Sequence, residues 1–292
     1  NGGTRKIKEI RQAHWRGVRI VQRLNGMNWL HKVKQTPIPA AFKAQRDNLL
    51  LAFIRRFLAT HIIYQSAFSR DWWTRKRGAD RIPIHIVYNG VDLEKYSPQG
   101  PENPPEGHFR LLLVEGHITT ASDQGLMTAV KLTQGLVKEH GLTVELMVVG
   151  DVDDILKAQA HTMAPDIWIT WQGILPREDI PAVDRSAHLL FSADLNAACP
   201  NSVIEAMACG LPVAAYDTGA LKELVKNGAG AVVPYGANHW QLEEPIIPPL
   251  ANACNHIFEN NAQYRQAARK RAETAFGLDP MVESYLEVLV GS

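Results

Sequence analysis

The sequence predicts an α/β protein made of two doubly wound, Rossmann-like domains. Three observations predict it. Apolar runs of strand length alternate with helical patterns along the chain, the signature of parallel sheets. Residues 97–108, SPQGPENPPEGH, break that alternation with four prolines and two glycines, a linker composition that places a hinge there. A chain of 292 residues with 46% apolar content is long enough for two cores of ordinary size. The expected domains are 1–98 and 109–275, with a closing helix over 279–292.

The first domain reads as a basic amphipathic helix at 5–15, a strand at 18–24 and the turn Asn25–Gly26–Met27–Asn28–Trp29. A helix at 46–59, a strand at 61–65, a Trp-bearing basic helix at 69–77 and a strand at 84–87 follow. The last strand ends in Tyr88–Asn89–Gly90–Val91–Asp92. A doubly wound domain normally opens on a strand, and nothing strand-like precedes Arg5. An upstream segment carrying further βα units, with any glycine-rich acceptor-side loop, is therefore expected.

The second domain opens with a strand at 109–114, a helix at 123–140 and a strand at 143–149. Asp151–Val152–Asp153–Asp154 then precedes a helical pattern; the aspartates read as helix caps, with a metal site as the disfavoured alternative. A strand at 167–171, the loop Gln172–Gly173–Ile174–Leu175–Pro176, a helix at 177–184 and a strand at 187–191 lead to PNSVIEAMACGLP, residues 200–212. Asn201 and Ser202 are candidate helix caps, Val203, Ile204, Met207 and Ala208 form an apolar stripe, and Gly210 suits a helix end. The strand 211–215, a short helix at 220–225 and a strand at 231–234 follow, then helices at 246–259, 263–276 and 281–289. Glu205 is the anomaly, a carboxylate among residues that should be buried. It suits a sugar hydroxyl near a helix start, or the glutamate of a capping box.

PNSVIEAMACGLPVAAYDTGALKELV resembles the donor-site signature of the retaining, family-4 glycosyltransferases of the GT-B fold, E-G-F-P-N-x-x-x-E-A-M-A-C-G-x-P-V. The likeness runs over about 18–290 and is strongest over 167–233. It implies two Rossmann-like domains facing a cleft, the last helix returning to the first, and a nucleoside diphosphate sugar as substrate, with no cofactor and no metal. By resemblance, Glu205 holds the ribose, while Cys199, Pro200, Asn201 and Ser202 meet the sugar and diphosphate. Gln172, Gly173 and Ile174 resemble the loop that seats the base. Asn25, Gly26 and Asn28 resemble the acceptor-side V-H-G-L-D-W turn, with Asn25 in place of the histidine; as an alternative, Asn–Gly is an ordinary turn pair.

Two departures stand out. The family's first glutamate falls at Ala197, which leaves Asp194 and Asn196 as the nearby polar substitutes. The family's G-R-x-x-x-x-K-G, whose cations neutralise the diphosphate, is replaced by Gly116–His117 and, later, Gln124–Gly125. Weaker donor binding is expected, or phosphate charge met by the basic first domain. The candidate catalytic residues are Asn25, Asp194 and Asn196.

Charge is unevenly spread. The first 81 residues hold 18 Lys and Arg against 4 Asp and Glu, interleaved with Trp15, Trp29, Phe42, Phe53, Phe57, Trp72 and Trp73. Three readings stay open: an anionic membrane or acceptor surface, a solvated basic face, and, least favoured for want of a binding motif, nucleic acid. No run approaches a membrane span and no secretory signal opens the chain, while Cys199, Cys209 and Cys254 lack metal-ligand spacing. The expectation is a cytoplasmic enzyme, peripheral on the membrane's inner face, using a nucleotide sugar donor and a glycan or lipid-linked acceptor. The alternative is a catalytically impaired homologue that binds sugar nucleotides or glycans as a scaffold.

Overall fold

The computed structural model describes residues 6–119 and 123–291. The chain divides at Gly90/Val91 and again at Leu278/Asp279, so the first unit takes in residues up to 90 and the last stretch from 279, and the second unit spans 91–278.

In the first unit, helix α1 (Ile7–Trp15) precedes strand β1 (Val21–Leu24), helix α2 (Ile38–Phe57), strand β2 (His61–Tyr64), helix α3 (Ala67–Arg77) and strand β3 (Ile84–Ile86). Arg5, expected in the first helix, lies outside the described residues. The strands pair in parallel in the order β1–β2–β3, with Val21 opposite His61 and Ile62 opposite Ile84. Helix α2 starts at Ile38 rather than at 46. Pro37 holds an extended backbone ahead of it, and Pro39 sits in the first turn, where a missing N–H leaves no bond unmade. Ser66 caps α3, its Oγ accepting from the Ser69 amide at 3.1 Å. The final helix, Leu278–Val290, lays Met281, Tyr285 and Val288 against Val21, Ile63 and Val87.

The second unit holds β4 (Phe109–Ile118), α4 (Gln124–His140), β5 (Val144–Val152), α5 (Asp154–Met163), β6 (Trp168–Gly173), α6 (Ile180–Arg185) and β7 (Leu189–Ser192). Then come α7 (Asn201–Ala208), β8 (Val213–Tyr216), α8 (Leu221–Leu224), β9 (Gly230–Val233), α9 (Pro248–Glu259) and α10 (Asn261–Ala275). All six strands are parallel, in the order β6–β5–β4–β7–β8–β9. Leu111, Leu113, Leu146 and Val148 are buried and pack with Leu126 of α4 and Ile257 of α9; each such side chain contributes about 1.5–3 kcal/mol.

Three local readings are corrected. The hinge expected at 97–108 lies inside the second unit. Arg269 of α10 donates to the carbonyls of Leu93, Tyr96 and Ala208, and Arg185 donates to that of Ser97, so residues 93–97, just ahead of the prolines, are clamped to the second unit. Gln172 and Gly173 belong to β6 rather than to a loop, since Gly173 still pairs with Val149. At α7 the cap position is Pro200, in an extended conformation, and Asn201 and Ser202 are already helical. Glu205 therefore lies beyond the place of a capping-box glutamate. Gly210 follows the helix with φ +72°, as a helix end requires.

Candidate active site

The strand order of the second unit reverses between β4 and β7. Crevices at such switch points, outside the carboxyl ends of the strands, are where open α/β sheets bind ligands. The carboxyl end of β4 presents Glu115, Gly116 and His117, and the segment leaving β7 presents Asp194 and Asn196. Gly116 is exposed with open space above it, and His117 lies 3.2 Å from the Asp151 carboxylate at the matching position of β5. Asp151 is thus a strand residue facing a histidine, while Asp153 takes the cap position of α5 and Asp154 pairs with Lys157 at 2.8 Å. Among the described residues, no three His, Cys, Asp or Glu side chains are grouped to hold a metal.

Glu115 and Asp194 form a half-buried carboxyl pair. Burial pushes Glu115 up to about 8, with the Asp194 charge adding to the effect, and burial raises Asp194 as well. Both shifts favour a proton held by the pair as a whole, which then presents an O–H donor and less negative charge than two free carboxylates.

The loop from β7 to α7 is held by close backbone packing. Ala220 donates to the Ala197 carbonyl at 2.9 Å, and Thr218 Oγ1 donates to that of Asp194 at 3.4 Å. Gly219 has φ +60°, and a Cβ there would lie 2.5 Å from the Ala197 oxygen. Gly125 allows the first turn of α4 to reach the same loop, since its Cβ would meet that of Ala193 at 2.6 Å. The loop fixes Asn196 in the left-handed region, φ 59°, with its side chain buried. Among the described residues, neither amide atom of that side chain has a hydrogen-bond partner. Both the strain and the unmet polar group mark it as a position that the fold does not need for itself.

From that loop, α7 carries Glu205, whose side chain is 14% exposed and lies 3.2 Å from Arg177 Nη2. The Tyr96 phenol and the Glu205 carboxylate both hold the Arg177 guanidinium above its ordinary value. Asp184 of α6 is buried and pushed well up, mainly by desolvation and then by the charge of Glu205. Cys199 and Pro200 are buried at the amino end of α7, Asn201 is exposed and Ser202 half-buried. Gln172, Gly173 and the exposed Ile174 stand at the carboxyl end of β6.

Asn25, Gly26 and Asn28 form the turn after β1, at the carboxyl end of that strand in the first unit. Trp73 Nε1 donates to the Asn25 carbonyl at 2.7 Å, and Asn48 makes reciprocal bonds with the main chain of Asn28 at 3.0 and 2.8 Å. A Cβ on Gly26 would meet the Trp72 ring at 2.6 Å. The backbone is fixed while the Asn25 and Asn28 side chains are exposed.

Parallel sheets of this order are Rossmann-like, and the solved glycosyltransferase structures that superpose on the chain give it the GT-B fold. Residues 110–271 match the family model described as glycosyl transferases group 1, and the chain belongs to that family. Alpha-maltose-1-phosphate synthase of Mycolicibacterium smegmatis is 24% identical over 219 residues, covering 70% of this chain and 56% of that protein. D-inositol 3-phosphate glycosyltransferase of Rhodococcus erythropolis is 26% identical over 283 residues, 87% of this chain and 58% of that protein. The chain thus spans little more than half the length of these relatives. Among solved structures, HepE of Anabaena in complex with UDP-glucose superposes with a TM-score of 0.70 at 18% identity, covering 98% of this chain and 76% of that one. Sucrose-phosphate synthase of Thermosynechococcus elongatus gives 0.68 at 17%, covering 93% and 68%.

Sequence reasoning passed over Glu115, Arg177 and Asp184. Glu115 had a signal: an acidic residue ending the apolar run 109–114 at the first strand of the second domain. Arg177 and Asp184 had none, because Glu205, which pairs with Arg177 and whose charge acts on Asp184, is distant from both in sequence.

Proposed function

We propose that the chain is part of a retaining glycosyltransferase of the family-4 type that moves a sugar from a nucleoside diphosphate sugar to an acceptor hydroxyl. Two observations on the segment that leaves β7 at the switch point carry this reading: the half-buried Glu205 carboxylate on α7, and, in the loop before it, the buried amide of Asn196, which has no partner among the described residues. Glu205 takes a ribose hydroxyl and Asn196 a polar group of the sugar or diphosphate. Amides from residues 198–202 meet the diphosphate, and a proton held by the Glu115–Asp194 pair limits the repulsion left by the missing cationic pair. Gln172–Ile174 seats the base, and the fixed turn at Asn25–Asn28 orients a glycan or lipid-linked acceptor.

No side-chain nucleophile takes part. The bond from the anomeric carbon to the phosphate oxygen breaks and the bond to the acceptor oxygen forms on the same face, while the acceptor proton passes to the departing phosphate oxygen. Asn25 cannot shuttle a proton, and this route does not ask it to. Positioning and stabilisation of the leaving charge supply the rate. The reading involves no divalent cation, and a chelator should leave turnover unchanged. Three free, buried cysteines suit a reducing, cytoplasmic setting. No described helix is long and apolar enough to cross a membrane.

The test is a thermal-shift panel of nucleoside diphosphates and their sugars. A ligand at 100 times its Kd adds about 2.7 kcal/mol to the folded state. One nucleotide family should stabilise the chain, and its sugar should then be consumed with release of nucleoside diphosphate and an unchanged anomeric configuration in the product. Stabilisation by none of them would refute the reading; binding without turnover would leave a scaffold.

A further inference from the structure

Among the described residues, helix α2 has one long face that nothing covers. Ile38, Phe42, Leu49 and Phe53 recur at helical spacing along a single stripe, and Phe57 extends it by one turn. Ile38 is 85% exposed, Phe42 71% and Phe57 61%, and the Phe53 and Phe57 rings are 5.2 Å apart. Arg46 and Arg56 fall within the same stripe and Lys43 beside it, all exposed, whereas the opposite side of the helix buries Asn48, Ile54 and Arg55. The one acid of α2, Asp47, lies 3.0 Å from Arg46. Helix α1 meets the carboxyl end of α2, where His14 Nδ1 is 2.9 Å from the Leu58 carbonyl oxygen, and next to His14 stands Trp15, 72% exposed with the Arg11 guanidinium 4.6 Å from its ring centre.

We infer that this face docks on an anionic lipid surface, with the rings and aliphatic side chains at the boundary between headgroups and acyl chains and the guanidiniums on lipid phosphates. Charge selects the occupant. Arginines set among aromatics can reach headgroup phosphates while their stems lie on the apolar surface, and the first 81 residues, with 18 basic against 4 acidic side chains, complement an anionic leaflet. Three of those four acidic side chains are engaged: besides Asp47, Asp71 pairs with Arg70 at 2.7 Å and Asp80 with the buried Arg55 at 2.6 Å, while Glu9 is exposed on α1. The inference goes beyond the donor-site reading and does not depend on it.

The experiment is co-sedimentation of the whole chain, without nucleotide, with phosphatidylcholine vesicles that contain or lack phosphatidylglycerol. Binding should require phosphatidylglycerol and weaken as salt is raised. Phe42→Ser with Phe53→Ser should lower the partition coefficient at least roughly tenfold, and Arg46→Gln with Arg56→Gln roughly tenfold or more. All four positions are exposed, so unchanged melting temperatures are expected and would show that the fold is kept. Equal binding to both kinds of vesicle, or equal binding by the variants, would overturn the inference. So would self-association of the wild-type chain abolished by the Phe substitutions, which would give the face to a second copy. Failure of the nucleotide panel alongside intact vesicle binding would count against the donor site alone.

Discussion

Replacing Glu115 by glutamine should stabilise the second unit at alkaline pH and flatten its pH dependence. Burial, followed by the Asp194 charge, lifts the carboxyl from 4.5 to about 8 in the folded protein. Between those values the folded chain keeps a proton that the unfolded chain has released, so stability falls as pH rises through that window. At about 1.36 kcal/mol for each pH unit the ceiling is about 5 kcal/mol. Partial exposure and the share carried by Asp194 reduce this, and a loss of about 1–2 kcal/mol is expected. Urea unfolding followed through Trp168 and Trp171 at about pH 5.5 and about pH 8.5 measures it. The wild type should lose stability between the two, whereas Glu115→Gln should lose little and should exceed the wild type only at the higher pH. Asp194→Asn should shrink the wild-type loss by removing the neighbouring charge. Parallel pH profiles for wild type and Glu115→Gln would refute the reasoning.

Gly219→Ala should destabilise the second unit by about 2 kcal/mol or more, because the new Cβ meets the Ala197 backbone in a left-handed conformation; chemical denaturation checks it, and a neutral change would mean the loop is not packed as described. Asp80→Asn should cost the first unit about 3–5 kcal/mol, since it strands the buried Arg55 guanidinium that also donates to Tyr64 Oη at 2.8 Å; a loss within the range of an exposed pair would contradict the burial. Arg269→Ala should release residues 91–98, seen as faster proteolysis there than in the wild type, because three carbonyls lose their common donor.

Periodicity and punctuation made most of the architecture legible. The β4–α4–β5 succession could be read because Leu111, Leu113, Leu146 and Val148 form unbroken apolar runs of strand length between helical patterns. Proline was read less well. At 37–39 it opens a helix through local first-turn geometry, whereas at 97–108 it follows a segment whose deciding partners, Arg269 and Arg185, are distant in sequence. Glu205 announced itself by standing polar among apolar residues, but its pairing with Arg177 and the burial of Asp184 depend on how α6 lies beside α7. The unmet amide of Asn196 belongs to the same class, since spacing does not reveal which polar groups a loop leaves unsatisfied.

The central claim, that Glu205 holds the ribose of a nucleotide donor, is tested most directly by a thermodynamic cycle. The affinities of wild type and Glu205→Gln would be measured calorimetrically for the nucleoside diphosphate that stabilises the chain and for its 2′,3′-dideoxy analogue. A hydrogen bond to a charged group is worth about 1.5–3 kcal/mol. The substitution should therefore weaken the ribose nucleotide by that amount and leave the dideoxy analogue nearly unaffected. An equal loss for both ligands, or full affinity of Glu205→Gln for the ribose nucleotide, would contradict the assignment and return Glu205 to a structural partner of Arg177.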